Sequence, residues 1–177
     1  MDAKTDQPTV ALNGSKIIAA IKAAGVEFVL SVPDIHTSHG LLRPIAKDPE
    51  LRLVRVCKED ECIGIASGLS YSDRRALILI QYTGFLDSLN AIRAVAVEYK
   101  QPICMMVGLL GHEPERLPAE SGRYGVRIIE PICDAMGIEH LLVSQDADVT
   151  KIGPAIEKAY ADSKPVAVLI GRRPAKP

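Results

Sequence analysis

The stretch RLVRVCKEDECIGIASGL, residues 52–69, contains a predicted strand and a predicted helix with almost no connection between them. Residues 52–57 are rich in Val and Leu, as is typical of a buried strand. Ile63, Ala66 and Leu69 then recur at helical spacing after Glu61. A strand that passes directly into a helix is the repeating unit of an α/β sheet, so this stretch indicates the fold class.

Six apolar runs of this kind occur along the chain, and stretches with helical periodicity separate them. The runs are dominated by Val, Ile and Leu without polar alternation, which is typical of strands covered on both faces. Alternating strands and helices favour right-handed crossovers within one parallel sheet. We therefore predict a three-layer, doubly wound α/β fold with a six-stranded, mainly parallel sheet, whose strands are residues 27–32, 52–57, 76–81, 103–107, 140–144 and 166–170.

The bulk composition indicates one folded domain and argues against several classes of protein. The chain has 177 residues, of which 47% are hydrophobic, and this is enough for a single core. A net charge of −1 and the absence of Trp argue against nucleic-acid or membrane-surface binding. The start lacks an apolar signal core and no run could span a bilayer, so a cytoplasmic location is expected. We predict a tail at residues 1–12 and one domain at residues 13–173.

The residues that follow the predicted strands are the candidates for function, because ligands of open parallel sheets bind beyond the carboxyl ends of the strands. The fourth strand is followed by the longest irregular stretch, residues 108–125, and long loops are often functional. The candidates are Pro33, Asp34, His36 and His39 after the first strand, Glu59 after the second, Thr83 and Gly84 after the third, and His112 and Arg123 in the long loop.

Glu59, Asp60 and Glu61 form a cluster of three acids at the start of the second helix. All three could be simple N-terminal charges, which the helix dipole favours. Alternatively, one of them is a poorly solvated carboxyl next to packed backbone, and such a group is suited to proton transfer. The small residues at positions 64–68 favour the second interpretation, because they allow another group to approach this helix closely.

Each of the other candidate residues can also have a purely structural role. Tyr82-Thr83-Gly84 lacks the G-K-[ST] of a phosphate loop and can be an ordinary strand-to-helix turn. His36 and His39 do not have the spacing of helical metal ligands, and either can be a proton donor, an anion contact or part of a helix-capping loop. The loop at residues 108–125 is a solvated surface loop, a lid or a contact to a partner chain.

Taken together, these segments resemble the pyrimidine-binding (Pyr) domain of thiamine-diphosphate-dependent enzymes. The family pattern is a Glu at a strand end followed by small residues at fixed positions, here Glu59, Cys62, Ala66 and Gly68. This spacing selects Glu59 from the three acids. Residues 81–91 and 101–108 resemble the next segments of the family. Within it, the alpha subunits of sulfopyruvate decarboxylases and the phosphonopyruvate decarboxylases are the most similar.

The resemblance implies a role for each candidate residue. The family's equivalent of Glu59 hydrogen-bonds the aminopyrimidine ring of the cofactor and activates it. Pro33, Thr83 and Gly84 are implied to line the pyrimidine pocket. The implied reaction is decarboxylation of a 2-oxo acid, with 3-sulfopyruvate giving sulfoacetaldehyde and carbon dioxide. The residues implied to lie toward the substrate are Asp34, His36, His39, His112 and Arg123.

The resemblance also implies a partner chain. The family holds magnesium and the cofactor's diphosphate with a Gly-Asp-Gly motif, and this chain has none. A beta subunit with the diphosphate-binding domain is therefore expected to hold diphosphate and Mg²⁺ in a hetero-oligomer, with no metal ligand in this chain. Alone, the chain can self-associate as a homo-oligomer. Two alternatives stay open: a subunit of another thiamine-diphosphate enzyme, either phosphonopyruvate decarboxylase or acetolactate-synthase-like, and a non-catalytic flavodoxin-like docking module.

Overall fold

The computed structural model describes residues 12–175, in which strands and helices alternate. The strands are β1 (Leu12–Asn13), β2 (Phe28–Ser31), β3 (Arg52–Arg55), β4 (Ala76–Gln81), β5 (Cys104–Gly108), β6 (Glu139–Val143), β7 (Val166–Ile170) and β8 (Pro174–Ala175). The α-helices are α1 (Gly14–Ala23), α2 (Arg43–Ile45), α3 (Glu59–Ser70), α4 (Tyr82–Asp87), α5 (Leu89–Ala91), α6 (Tyr124–Arg127), α7 (Ile129–Met136) and α8 (Ile152–Asp162). Two π-helical segments lie at Ser38–Leu42 and Ile92–Glu98, and two 3-10 segments at Pro118–Glu120 and Asp146–Lys151.

Strands β2 to β7 form one sheet in the order β3-β2-β4-β5-β7-β6, and every neighbouring pair is parallel. The predicted six-stranded, doubly wound sheet is therefore confirmed. The predicted ranges for β4 and β7 agree at both ends. β3 is two residues shorter than predicted, because the Cys57 N–H bonds the Glu61 side chain at the start of the next helix.

Different helices cover the two faces of the sheet, which gives three layers. On β4, Leu77 and Leu79 belong to the core cluster that includes α1 and α8. Ile78 and Ile80 belong to the opposite cluster, which includes α3, α4 and α7. Successive strand side chains point to opposite faces, so the uninterrupted apolar runs in the sequence supply both cores at once.

A second, two-stranded sheet joins the ends of the described chain. β1 and β8 are parallel, with Leu12 opposite Pro174, and Leu12 is fully buried. Leu12 was predicted to belong to the tail at residues 1–12, and the rest of that tail lies outside the described residues. The pairing also carries the fold to Ala175, beyond the predicted range 13–173. Two-residue strands are too short to leave a periodic pattern, so the sequence does not indicate them.

The strand order changes direction between β2 and β4. From β2 the chain crosses to β3 on one side and then returns to β4 on the other side. In open α/β sheets the crevice at such a switch point is the preferred ligand site. The carboxyl ends of β2, β3 and β4 meet there. Among residues 12–175, the helices are all too short or too polar for one to cross a membrane.

Candidate functional site

The three acids at the start of α3 have different surroundings. Glu61 Oε2 accepts hydrogen bonds from the backbone N–H groups of Cys57 and Lys58, at 2.9 and 3.3 Å, and so caps the helix. Asp60 forms an ion pair with Lys58 at 3.5 Å. Within residues 12–175, the Glu59 carboxylate makes neither a hydrogen bond nor an ion pair. The role of a helix-terminal charge therefore explains Asp60 and Glu61, and it leaves Glu59 available for a ligand.

Gly84 holds the Glu59 side chain in place. Gly84 is buried in the first turn of α4, and the Glu59 side chain packs directly over it. A β-carbon added to Gly84 would lie only 2.6 Å from Glu59 Oε1 and 2.7 Å from its Cδ, far inside van der Waals contact. Glycine at position 84 thus creates the space that the Glu59 carboxyl occupies.

The residues predicted to line the pyrimidine pocket with Gly84 are exposed after the ends of β2 and β4. Thr83 is exposed beside Gly84, and its hydroxyl donates to Gln81 Oε1 at 3.1 Å. Pro33, after β2, is also exposed. Cys62 is fully buried, and burial raises the pKa of its thiol to about 12, so this cysteine packs rather than reacts. A partly exposed carboxyl therefore lies at the switch point, where Pro33 and Thr83 are exposed after the strand ends.

The small residues of α3 divide between two sides of the helix. Cys62 and Ala66 face the core, as does Ile63. Gly64 and Gly68 face outward, and a β-carbon added to either would meet nothing within 4 Å. Ile65 is 37% exposed on the same outward side. Another molecule can therefore approach the backbone of α3 closely at Gly64 and Gly68, which lie four residues apart on its exposed surface.

The segment after β2 crosses over the neighbouring strand ends. The Asp34 carboxylate accepts hydrogen bonds from the Thr37 N–H, at 2.8 Å, and from its hydroxyl. His36 is 5% exposed, and its Nε2 lies 3.1 Å from the carbonyl oxygen of Ile170 at the end of β7. Burial lowers the pKa of His36, although Asp34 opposes this effect. His36 is therefore a neutral ring that donates to backbone at pH 7. His39 is exposed, with Nδ1 3.3 Å from Arg43.

Hydrogen bonds hold the long loop, residues 108–125, in place. Both ring nitrogens of His112 lie near carbonyl oxygens, with Nδ1 2.7 Å from Gly171 O and Nε2 3.0 Å from Arg116 O. Glu113 accepts from the Ser121 hydroxyl at 2.6 Å, which closes the loop on itself. The predicted substrate contacts of His36 and His112 stay predictions. In the structure, Nε2 of His36 and both ring nitrogens of His112 already lie within hydrogen-bonding distance of backbone carbonyl oxygens.

The structure brings forward two arginines that the sequence did not single out. Arg172 and Arg173 line a cavity of about 390 Å³ together with His36 and His112. The side chain of Arg123, which was predicted as a substrate contact, packs against Gly111 on the same rim. The only available sequence signal was a pair of basic residues after the last predicted strand, and this signal is weak. No group of three His, Cys, Asp or Glu side chains within residues 12–175 is arranged to hold a metal ion.

Comparison with known families agrees with this geometry. Residues 13–117, more than half of the chain, match the model of the thiamine pyrophosphate enzyme, N-terminal TPP binding domain. The chain belongs to this family. The predicted resemblance to the pyrimidine-binding domain of thiamine-diphosphate enzymes is therefore confirmed. Glu59 and Gly84 both lie inside the matched range.

Several relatives of this chain are named for sulfopyruvate decarboxylase. The alpha subunit of Methanococcus maripaludis is 29% identical over 124 residues, covering 68% of this chain and 74% of that protein. The alpha subunit of Methanocaldococcus jannaschii is 28% identical over 156 residues, covering 86% and 89%. A longer protein of Methanosarcina acetivorans, named sulfopyruvate decarboxylase, is 23% identical over 157 residues, covering 88% of this chain and 39% of that protein. The predicted similarity to these alpha subunits is confirmed.

Proposed function

We propose that this chain is the alpha, pyrimidine-binding subunit of a thiamine-diphosphate-dependent 2-oxo acid decarboxylase. The substrate is 3-sulfopyruvate, and the products are sulfoacetaldehyde and carbon dioxide. The observation that carries the proposal is the Glu59 carboxyl, which packs on Gly84 at the switch point and has no partner among residues 12–175. The family match and the names of the relatives support the same function.

The residues around Glu59 fit the pyrimidine end of the cofactor. The gap left by Gly84 fixes the carboxyl without using its hydrogen-bonding capacity, so Glu59 can exchange a proton with a ring nitrogen. In this proposal a flat ring rests against Pro33 and Thr83, which are exposed after β2 and β4. When bound, thiamine diphosphate acts as the electron sink for the loss of carbon dioxide. The part played by this chain is to bind, orient and protonate one end of that cofactor.

A partner subunit completes the site in this proposal. The described residues offer no acidic cluster for magnesium, and the chain contains no Gly-Asp-Gly. The Methanosarcina protein extends well beyond the part that this chain matches. A beta subunit that holds the diphosphate and Mg²⁺ would account for both observations. Its docking would also cover the partly exposed Glu59 carboxyl.

Reconstitution tests this function. The chain, purified together with a beta subunit that carries Gly-Asp-Gly, is expected to decarboxylate 3-sulfopyruvate only with thiamine diphosphate and Mg²⁺. Phosphonopyruvate and pyruvate should be poorer substrates by kcat/KM. Carbon dioxide release and sulfoacetaldehyde formation are the measurements. Turnover by the chain alone, or turnover that does not depend on the cofactor, would contradict the proposal. Condensation of two oxo acids would instead identify a synthase.

The outward face of α3 is the proposed docking surface for the beta subunit. Gly68→Arg places a long side chain where the backbone is open, so it should weaken subunit association at least about 10-fold by blocking close approach. The free chain should keep its stability, because arginine favours a helix more than glycine does. Ala161→Arg, at an exposed position of α8, is the matched control. Unchanged association of the Gly68 variant, measured by calorimetry, would place the interface elsewhere.

A further inference from the structure

The cavity lined by Arg172 and Arg173, named here the arginine cavity, has no part in the handling of the pyrimidine ring. It is an open cavity of about 390 Å³ beyond the carboxyl ends of β5 and β7, a volume suited to a small ligand. Its remaining lining residues are His36, Leu110, Gly111, His112, Pro114 and Gly171. Among residues 12–175, the charged side chains that line the cavity are those of Arg172 and Arg173, so the lining itself is positive.

The two arginines keep donors free for a ligand. Arg172 Nε donates to the Ser144 carbonyl oxygen at 3.2 Å, and one terminal nitrogen of Arg173 donates to the Ile35 carbonyl oxygen at 2.8 Å. These single bonds orient the guanidinium groups and leave most of their five N–H donors without a partner among residues 12–175. The geometry is that of tethered cations whose remaining donors can be shared with an oxyanion.

Neighbouring groups reinforce this chemistry. Arg123 packs over Gly111 and adds a third cation at the rim. The acids Asp34 and Glu113 lie close in sequence to lining residues, and both already accept hydrogen bonds: Asp34 from Thr37, and Glu113 from Ser121 and Gly122. The Ser144 hydroxyl is buried, has no partner among the described residues and lies against Gly171 of the cavity lining. The rings of His36 and His112 are held in place by backbone carbonyl oxygens. They therefore shape the cavity, and the arginines supply its positive charge.

The cavity is also close to the proposed reaction site. Gln81, at the end of β4, pairs with Gly108 of β5, and Gly108 pairs with Ile170 of β7. Two strand spacings, roughly 10 Å, therefore separate the cavity from the residues that begin α4. His36 covers one of these two spacings, because it lies against Gly108 of β5 and also bonds to Ile170 of β7.

We infer that the arginine cavity binds the sulfonate end of the substrate, with Arg172 and Arg173 as specificity-determining residues. The inference rests on the proposed function for the identity of the ligand. A sulfonate is a tetrahedral oxyanion that stays charged at neutral pH, and paired guanidinium donors suit its oxygens. A substrate without this group, such as pyruvate, leaves the cavity without an anion.

The test uses the complex of the chain with its beta subunit. Substituting both Arg172→Gln and Arg173→Gln should raise the KM for 3-sulfopyruvate about 10-fold to 100-fold, with little change in kcat. The Ki of 3-sulfopropionate, which lacks the 2-oxo group and cannot be decarboxylated, should rise equally. The KM for pyruvate should stay within about 3-fold. Arg172→Lys alone should lose less affinity than the double variant. Arg74→Gln is the control, because Arg74 lies at the opposite, amino end of the strands, just before β4.

Three results would overturn the inference. One is a KM for 3-sulfopyruvate that does not change in the double variant although the wild-type complex is active. That result would contradict the inference and leave the proposed function intact. Another is an equal loss for pyruvate and 3-sulfopyruvate. The third is a finding that inorganic sulfate binds the cavity but does not compete with the substrate. Loss of sulfate binding in the double variant would show that the sulfate occupies the cavity. Calorimetry with 3-sulfopropionate tests the cavity even if no 2-oxo acid is turned over, so the two failures are distinguishable.

Discussion

Replacing Glu59 with Gln is expected to lower kcat of the reconstituted complex by about 10²-fold to 10⁴-fold, the usual contribution of a general acid or base. The amide has nearly the same shape, so it should still pack over Gly84. It cannot exchange a proton with the pyrimidine ring. Steady-state decarboxylation of 3-sulfopyruvate, with saturating thiamine diphosphate and Mg²⁺, is the measurement.

Asp60→Asn is the matched control for this substitution, because Asp60 neighbours Glu59 and, among residues 12–175, its one ion pair is an exposed one with Lys58. Its kcat should stay within about threefold of wild type, since surface pairs contribute little. The thermal unfolding of both variants should match that of the wild-type chain. Near-normal turnover by the Glu59 variant would remove the residue from the mechanism.

Gly84→Ala is expected to reduce kcat by about 10²-fold, the loss that follows when a catalytic group is displaced by about 1 Å. The added methyl group would fall 2.6 Å from Glu59 Oε1, so the carboxyl has to move. The unfolding free energy should change much less, because a flexible side chain and not backbone relieves the clash. Activity and thermal stability, measured side by side, check this combination.

Gly153→Ala in α8 is the control for the glycine substitution. A β-carbon there would lie 3.8 Å from the nearest atom, an ordinary contact, so activity should be retained. Full activity of Gly84→Ala would mean that the position of the Glu59 carboxyl is not critical. A large loss of stability would mean that Gly84 acts through packing of α4.

The fold could be predicted because its signals are local and repeated. Each central strand is an unbroken apolar run. On β4, Leu77 and Leu79 pack into one core and Ile78 and Ile80 into the other, as such a run implies. The β1–β8 pair could not be predicted, because two residues carry no period and their partners are more than 150 positions apart. The π-helical turn Ser38–Leu42 was missed for a similar reason, since it depends on the close approach of Gly40 to Pro174.

The candidate site could be predicted in part. Glu59 and Gly84 follow strands that meet at the switch point, so topology alone brings them together. The outward direction of Gly64 and Gly68 could not be read from composition, because small residues suit a tight core as well as an open interface. Arg172 and Arg173 were overlooked, because their importance comes from the cavity that the loop and the strand ends create together.

The most direct test is hydrogen–deuterium exchange at the thiazolium carbon of thiamine diphosphate bound to the complex, compared between wild type and Glu59→Gln without substrate. The exchange rate reports activation of the cofactor and does not depend on which 2-oxo acid is used. Exchange is expected to be about 10²-fold to 10⁴-fold slower in the variant, with the cofactor still bound. Equal exchange rates in the two complexes would contradict the role of Glu59 as the activating carboxyl.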